Sequence, residues 1–248
     1  MANRFVIVSA ARTGSTVLRH MLNNHPNMCC HGELLTRDAN AAISRHAGYG
    51  GKKSNILDFS VEQLKADPAR YIREFVLNPG NFKAVGIKII YQDLLGTHAR
   101  GVLDWIRDNK DIKIIHLRRQ NRLRRLISHR LAIQSGVFLV HIGGNTPIYD
   151  KIKLGLEECI VDFQETIRLE LMVDGIFSEH SVKSVTYEHI MNSFSDEIDG
   201  VLDFIEVPKV PLTSTLVKLG AKNLNDVVDD YAELRRSAAG TPYESYFD

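Results

Sequence analysis

The chain has 248 residues, of which 44% are hydrophobic and 25% charged, as is usual for a folded globular protein. Its 31 basic and 30 acidic residues leave a net charge of +1, so the overall field does not indicate a nucleic acid or an anionic membrane as partner. No apolar stretch approaches the roughly 18 residues of a membrane-spanning helix, and the short apolar run at residues 5–11 is not a signal segment. The sequence therefore predicts a cytoplasmic protein without an integral membrane segment.

Short runs rich in Val and Ile alternate with stretches of helical periodicity along the chain. The predicted strands are residues 5–9, 84–90, 112–117 and 182–187. The predicted helices are residues 16–24, a segment around residues 123–131, and residues 154–173 and 196–205. Near-continuous apolar strands that alternate with helices are typical of a parallel sheet covered on both faces. We therefore expect an α/β fold with a central, mainly parallel sheet flanked by helices.

Three stretches rich in Gly, Pro or polar residues predict loops at residues 48–54, 136–147 and 207–211. None of them separates two independent cores, so we expect one domain over residues 1–248. The polar tail at residues 223–248 carries apolar residues at helical spacing. The three cysteines, Cys29, Cys30 and Cys159, match neither a disulfide framework nor a metal knuckle, and we expect small buried side chains in a reducing compartment.

The first predicted strand runs directly into a loop of small residues and then into a helix. The loop carries Arg12, Thr13, Gly14, Ser15 and Thr16. Such a turn aims backbone N–H groups at one point, and the helix N-terminus adds partial positive charge. Gly14 allows close approach of an anion, and two hydroxyl groups add hydrogen-bond donors. Arg12 adds a guanidinium cation that can donate two parallel hydrogen bonds. The loop therefore predicts a phosphate or sulfate site, although an ordinary N-capped turn would share part of the pattern.

Two common nucleotide motifs are absent from this loop. A Walker A motif requires a lysine directly before the hydroxyl residue, whereas Gly14 precedes Ser15 here. There is also no GxGxxG pattern, which disfavours a dinucleotide site. These absences argue against a P-loop kinase or nucleotide hydrolase, which is the main alternative function.

A second basic segment follows the third predicted strand. Five arginines fall within residues 118–125, and Ser128 follows on the next helix. Ligands bind at the carboxyl ends of parallel strands, where Arg118 and Arg119 would lie. An arginine at a strand end and a helix serine can together hold a second phosphate. A solvated basic helix face is the alternative for Arg122, Arg124 and Arg125, and an RNA-binding module is disfavoured because the segment lacks aromatic residues.

These two motifs resemble the donor-binding motifs of bacterial carbohydrate sulfotransferases, in particular the nodulation-factor and trehalose sulfotransferases. Residues 9–16 resemble the 5′-phosphosulfate loop of that family, and residues 117–128 resemble its 3′-phosphate site. Less specific likenesses occur at residues 24–33, 86–91, 187–188 and 240–243. The resemblance implies a P-loop-type three-layer fold and the donor 3′-phosphoadenosine 5′-phosphosulfate (PAPS), with no metal.

The resemblance also implies roles for individual residues. Arg12, Thr13, Gly14, Ser15 and Thr16 would hold the 5′-phosphosulfate. The 3′-phosphate would be held by Ser128 with Arg118 or Arg119; Arg119 is preferred because its nine-residue separation from Ser128 is closer to the family's eight. The implied acceptor is a hydroxyl on a carbohydrate or glycolipid, and its pocket is expected within residues 36–80 and 137–153.

Glu33 is the predicted catalytic base, because the relatives imply a glutamate in this region and the short connection after the first helix can return it to the loop. His31 is the alternative, because imidazole titrates near neutral pH. Arg12 would act electrostatically, since a guanidinium does not readily release a proton. His116 is expected to be a hydrogen-bonded core residue. Lys88 receives no role, and Lys218 and Lys222 are expected in a loop over the nucleotide.

Overall fold

Five parallel strands form the central sheet of the protein, which is described here by a computed structural model of residues 2–36, 60–217, 219 and 223–248. The strands are β1 (Asn3–Ser9), β2 (Met28–His31), β3 (Ala84–Ile90), β4 (Lys113–Arg118) and β5 (Val182–Thr186). Their order across the sheet is β2-β3-β1-β4-β5. Every neighbouring pair is parallel. The predicted α/β fold with a parallel central sheet is confirmed.

Helices connect and flank the strands. In the described residues they are α1 (Ser15–Asn24), α2 (Val61–Ala66), α3 (Pro68–Tyr71), α4 (Tyr91–Leu94), α5 (Val102–Asp108), α6 (Arg122–Ser135), α7 (Leu156–Ile176), α8 (Tyr187–Asn192), α9 (Phe194–Ile205) and α10 (Tyr231–Ala238). A π-helical turn covers Ile72–Val76, and 3₁₀ turns cover Thr97–Ala99, Leu224–Asp226 and Glu244–Phe247. The predicted loop at residues 48–54 and the two lysines Lys218 and Lys222 lie outside the described residues.

The chain divides into two compact units, and the predicted single domain stays a prediction. The first unit comprises Met1–Arg118 and Met172–Ser214 and contains the whole sheet. Strand β1 lies at its centre, and every residue from Phe5 to Ser9 is fully buried. Apolar residues of β1, α1 and α9 form one core cluster, which includes Phe5, Ile7, Leu18, Leu22, Val201 and Leu202. Strand β1 is thus held on both sides, and its carboxyl end carries the loop at residues 10–14.

The second unit comprises Arg119–Leu171 and Thr215–Asp248. Its core joins α6 and α7 to the tail and includes Leu126, Leu131, Phe163, Leu234 and Phe247. Helix α6 begins where the side chain of Asn121 accepts a hydrogen bond from the Arg124 amide at 2.8 Å, which caps the first turn. The polar tail is therefore part of a core, as its helical spacing indicated.

Strand β2 was not predicted from the sequence. It has only four residues, and none of them is β-branched. As an edge strand it presents backbone groups away from β3, and the Asn23 side chain satisfies one such pair. Asn23 accepts from the Cys30 amide at 2.6 Å and donates to the Cys30 carbonyl at 2.9 Å. This pairing with α1 helps to fix the strand that leads to Glu33.

The three cysteines are all reduced and buried. Burial raises the pKa of the Cys30 thiol to about 12, and it does the same for Cys159. Thiols with such a pKa stay protonated at neutral pH and are poor nucleophiles. The prediction of inert, buried cysteines agrees with this environment.

Candidate active site

The loop at residues 10–14 lies between the carboxyl end of β1 and the first turn of α1. Gly14 is the N-cap residue, so no side chain caps the first-turn amides of Ser15 and Thr16. Arg12 has a φ of 66°, in the left-handed region that costs a non-glycine residue about 1–2 kcal/mol. Strained backbone of this kind is typical of functional sites. The loop geometry fits the predicted anion site.

Tyr187 covers this loop from the start of α8. Gly14 has a φ of 85°, and a Cβ atom at this position would lie 2.7 Å from Cδ2 of the Tyr187 ring. Only glycine therefore suits the position, because both the backbone angle and the ring exclude a side chain. Residues 187–188 carry only a weak likeness to the family motifs in the sequence, and the proximity of Tyr187 to Gly14 adds this residue to the candidate site.

The hydroxyl residues of the loop have different partners. Thr13 is buried and donates its hydroxyl hydrogen to the Ala10 carbonyl at 2.9 Å, which ties the loop together. Thr16 instead accepts a hydrogen bond at 2.8 Å from Nζ of Lys88. A hydroxyl that accepts from an ammonium group keeps its own hydrogen for another acceptor. Thr16 is thus better placed than Thr13 to donate to an anion.

Glu33 and Lys88 form a buried ion pair beside the loop. Lys88 lies on β3 with only 6% of its side chain exposed, and the Glu33 side chain is 18% exposed. Nζ of Lys88 donates both to the Glu33 carboxylate and to Thr16. One cation therefore joins the predicted base to the predicted anion loop, and it favours the charged form of the carboxylate.

His31, the alternative base, occupies a different environment. It is 2% exposed at the end of β2, and its Nε2 lies 3.4 Å from Sγ of Cys29. Glu33 lies two residues beyond the strand and is partly exposed. Of the two, Glu33 is therefore the more accessible to an acceptor.

A hydrogen-bonded group surrounds His116 on β4. Its Nε2 lies 2.7 Å from the Tyr91 hydroxyl, and its Nδ1 lies 2.9 Å from the Asp174 carboxylate. His116 is 1% exposed, as expected for a hydrogen-bonded core residue. Arg118 donates to the same Asp174 carboxylate. Arg118 is thus already engaged in an ion pair within the first unit.

Arg119 and Ser128 belong to the second unit. Arg119 precedes α6 and is 9% exposed, and Ser128 lies within α6 and is 8% exposed. An arginine side chain is seldom this buried unless its guanidinium group has a partner. The preference for Arg119 over Arg118 as the phosphate ligand stays a prediction.

The remaining arginines of the basic segment contact acidic residues of α7. Arg122 makes a bidentate ion pair with Glu170, with N–O distances of 2.9 and 2.7 Å. Arg125 contacts Asp162, and Arg130 further along α6 contacts Glu158. The side chains of Arg122 and Arg125 are 12% and 6% exposed, so neither belongs to a solvated face. These contacts join two antiparallel helices.

The sequence left the role of Lys88 open, between a structural residue and one that reaches the donor, although it carries a signal for this residue. The signal was a lysine within an otherwise apolar, centrally placed strand, since a buried lysine requires a partner. Within the described ranges, no three His, Cys, Asp or Glu side chains are grouped as a metal site would need. In the same part of the chain, no helix is long and apolar enough to cross a membrane.

Comparison with known proteins gives relatives over nearly the whole length. The chain is 26% identical to Nodulation protein H of Rhizobium tropici over 98% of its own length and 92% of that protein. It is 25% identical to Nodulation protein H of Rhizobium meliloti over 98% of its length and 94% of that protein. No family model matches the chain.

The fold is shared with a crystallised sulfotransferase from Alicyclobacillus acidocaldarius. The TM-score is 0.51 at 18% identity, and the match covers all of this chain and 94% of the other. That structural similarity is evidence for the fold. The full-length sequence similarity to Nodulation protein H and the two sequence motifs are evidence of common ancestry. Taken together, the comparisons agree with the expectation from the sequence: the chain is similar over nearly its whole length to Nodulation protein H and shares its fold with a bacterial sulfotransferase.

Proposed function

We propose that the protein transfers a sulfuryl group from PAPS to a hydroxyl of a carbohydrate or glycolipid. The observation that carries this proposal is the contact of Lys88 with both Glu33 and Thr16. It joins a carboxylate that can accept a proton to a loop suited to an anion. A sulfotransferase needs both at one place, because the acceptor hydroxyl loses a proton while charge grows on the leaving phosphate.

The loop of the first unit fits the 5′-phosphosulfate group of the donor. Gly14 leaves the first-turn amides of α1 without a side-chain cap, and its lack of a Cβ permits close approach. Ser15 and Thr16 add hydroxyl groups, and Arg12 adds a cation. Thr13 contributes by holding the loop through Ala10. PAPS, when bound there, supplies the sulfuryl group on a phosphate leaving group.

Arg119 and Ser128 of the second unit are assigned to the 3′-phosphate of the donor. Arg119 would supply charge-assisted hydrogen bonds, and Ser128 a hydroxyl from α6. The assignment rests on the family resemblance, and the burial of both residues supports it. Arg118 takes a supporting role through Asp174.

Glu33 takes the proton of the acceptor hydroxyl, and the acceptor oxygen then forms the new bond to sulfur. Lys88 keeps Glu33 charged and orients it, and it turns the Thr16 hydrogen towards the anion. Arg12 and the amides at the start of α1 stabilise the negative charge that develops on the departing phosphate. None of these steps assigned to side chains of this protein requires a metal ion.

The acceptor class follows from the resemblance of the two sequence motifs to carbohydrate sulfotransferases. The predicted acceptor regions, residues 36–80 and 137–153, are only partly within the described residues. A cytoplasmic location and the lack of a nucleic-acid partner remain predictions from composition. Transfer of radiolabelled sulfate from PAPS to a panel of sugars, oligosaccharides and glycolipids would identify the acceptor.

Glu33→Gln is the direct test of the proposed base. It keeps the size of the side chain but removes the proton acceptor, so turnover should fall on the order of 10²- to 10⁴-fold. Affinity for the product 3′-phosphoadenosine 5′-phosphate (PAP), measured by calorimetry, should stay within about twofold of the unmodified protein, because the donor loop is unchanged.

Glu206→Gln is the matched control, since it removes a carboxylate from another lysine pair in the first unit, with Lys113 at 2.7 Å. It should leave turnover unchanged. Full turnover in Glu33→Gln would reject Glu33 as the base. A large loss in His31→Gln in that case would transfer the role to His31.

A further inference from the structure

The segment that carries Glu33 makes a tight turn directly after β2. The Leu34 amide donates to the Gly32 carbonyl at 2.9 Å, which places Glu33 at the centre of a three-residue turn. The side chains of Leu34 and Leu35 are buried, and these residues are 1% and 3% exposed. The turn sets the direction in which the Glu33 side chain leaves the backbone, so a contact that fixes this backbone also restricts where the carboxylate can lie.

His98 makes such a contact two residues after Glu33. Its Nε2 lies 2.8 Å from the Leu35 carbonyl oxygen and 3.3 Å from an Asp93 carboxylate oxygen. Both neighbours are acceptors, so Nε2 must carry a hydrogen. The side chains of His98 and Asp93 are only 20% and 11% exposed, which limits competition from water for this bond.

One continuous stretch of chain holds the Glu33 turn at two points. Lys88 near the end of β3 binds the carboxylate itself. His98, in the 3₁₀ turn that follows α4, contacts the Leu35 carbonyl, and Asp93 of α4 contacts His98. The distance between the two attachments is set by the short path from β3 through α4, and all these residues lie in the first unit.

We propose that His98, oriented by Asp93, is a positioning residue for Glu33. The proposal rests on the proposed role of Glu33 as the base. A base must lie within hydrogen-bond reach of the proton that it takes, and a displacement of about 1 Å can cost roughly 100-fold in rate. Without the His98 bond, the Leu35 carbonyl loses its side-chain donor and the turn gains alternative conformations.

The test compares His98→Leu with His98→Gln. Leucine fills the space without a donor, whereas glutamine can place an amide N–H near the position of Nε2. We expect His98→Leu to lower kcat by about 10- to 100-fold with PAP affinity unchanged, and His98→Gln to recover most of the loss. Amide hydrogen exchange of the peptide that contains Glu33 and Leu34 should accelerate in His98→Leu and return towards normal in His98→Gln.

His180→Leu is the matched control. His180 is another buried histidine of the first unit that contacts backbone carbonyls, those of Ile112 at 2.9 Å and Arg107 at 3.2 Å. Its loss should reduce stability without a change in kcat or in exchange at Glu33. If His98→Leu changes kcat no more than His180→Leu does, His98 is merely structural and the proposal is wrong.

A double variant separates this proposal from the proposed base. If His98 acts through Glu33, adding His98→Leu to Glu33→Gln should lower kcat by less than about twofold further, whereas multiplied losses would contradict the proposal. If Glu33→Gln alone keeps full turnover, the proposed base fails, and the positioning role fails with it. Should His98→Leu not fold, Asp93→Asn is measured by the same criteria, because it removes the orienting charge and retains the shape.

Discussion

The two regions that we propose to bind anions are built in opposite ways. The loop at residues 10–16 depends on backbone conformation: a glycine N-cap, a left-handed Arg12 and a buried Thr13 that closes the turn. The segment at residues 118–125 depends on charge, yet much of that charge has partners within the protein. Arg118, Arg122 and Arg125 all contact carboxylates of α7.

A dense run of arginines therefore does not in itself indicate a ligand-binding site. A guanidinium that is paired with a buried carboxylate stabilises the fold, because separating the pair leaves an uncompensated charge. In the first loop, by contrast, few charged groups are needed, since amides and the helix terminus supply the positive potential.

The largest expected effect concerns the structural arginines. Arg122→Leu leaves Glu170 charged and buried, and it should lower the free energy of unfolding by about 3–5 kcal/mol, measured by urea denaturation. The matched variant Arg130→Ala breaks an exposed pair, with side chains 47% and 38% exposed, and should cost less than about 1 kcal/mol. Equal losses in the two variants would contradict the distinction between buried and exposed pairs.

A smaller effect is expected at the first loop. Gly14→Ala places a methyl group against Tyr187 and imposes an unfavourable φ, so PAP affinity measured by calorimetry should fall on the order of 100-fold, or about 2.7 kcal/mol. Gly136→Ala is the control: its φ is 66°, but a Cβ there would meet nothing within 4 Å. It should share the backbone cost and keep its PAP affinity. An unchanged affinity in Gly14→Ala would remove the loop from the donor site.

The third effect distinguishes Arg119 from Arg118 as the proposed ligand of the 3′-phosphate. Arg119→Ala should weaken PAP by roughly 10- to 100-fold while changing the affinity for AMP, which lacks the 3′-phosphate, by less than about threefold. Ser128→Ala should show the same selectivity with a smaller loss. Arg118→Ala should affect both nucleotides alike, because its partner is Asp174. Parallel losses for PAP and AMP in Arg119→Ala would transfer the 3′-phosphate site to other residues.

Much of the fold was predictable because its strands are unusually apolar. Strand β3 was predicted with the observed bounds, and β1 differs only at its start. Strand β2 escaped prediction because Met28–His31 is short, lacks β-branched residues and is held at its outer edge by Asn23. Such an edge contact depends on where α1 packs, which no local pattern reports.

The candidate site was predictable in part for the same kind of reason. Motif spacing indicated the loop residues, which follow β1 directly, and the family resemblance indicated Glu33. The ion pair of Glu33 with Lys88 joins residues 55 positions apart and depends on β2 lying next to β3 in the sheet. The engagement of Arg118 with Asp174 likewise depends on a contact 56 positions distant. The spacing to Ser128 favoured Arg119, but it could not indicate that Arg118 contacts Asp174.

Calorimetric titration of the unmodified protein with PAP, AMP and ATP tests the central claim most directly. A PAPS-dependent sulfotransferase with two phosphate sites should bind PAP in the absence of Mg²⁺, at least about tenfold more tightly than AMP, because one extra charge-assisted site contributes about 1.5–3 kcal/mol. Binding of ATP only, and only with Mg²⁺, would contradict the proposed donor and favour a P-loop kinase or hydrolase.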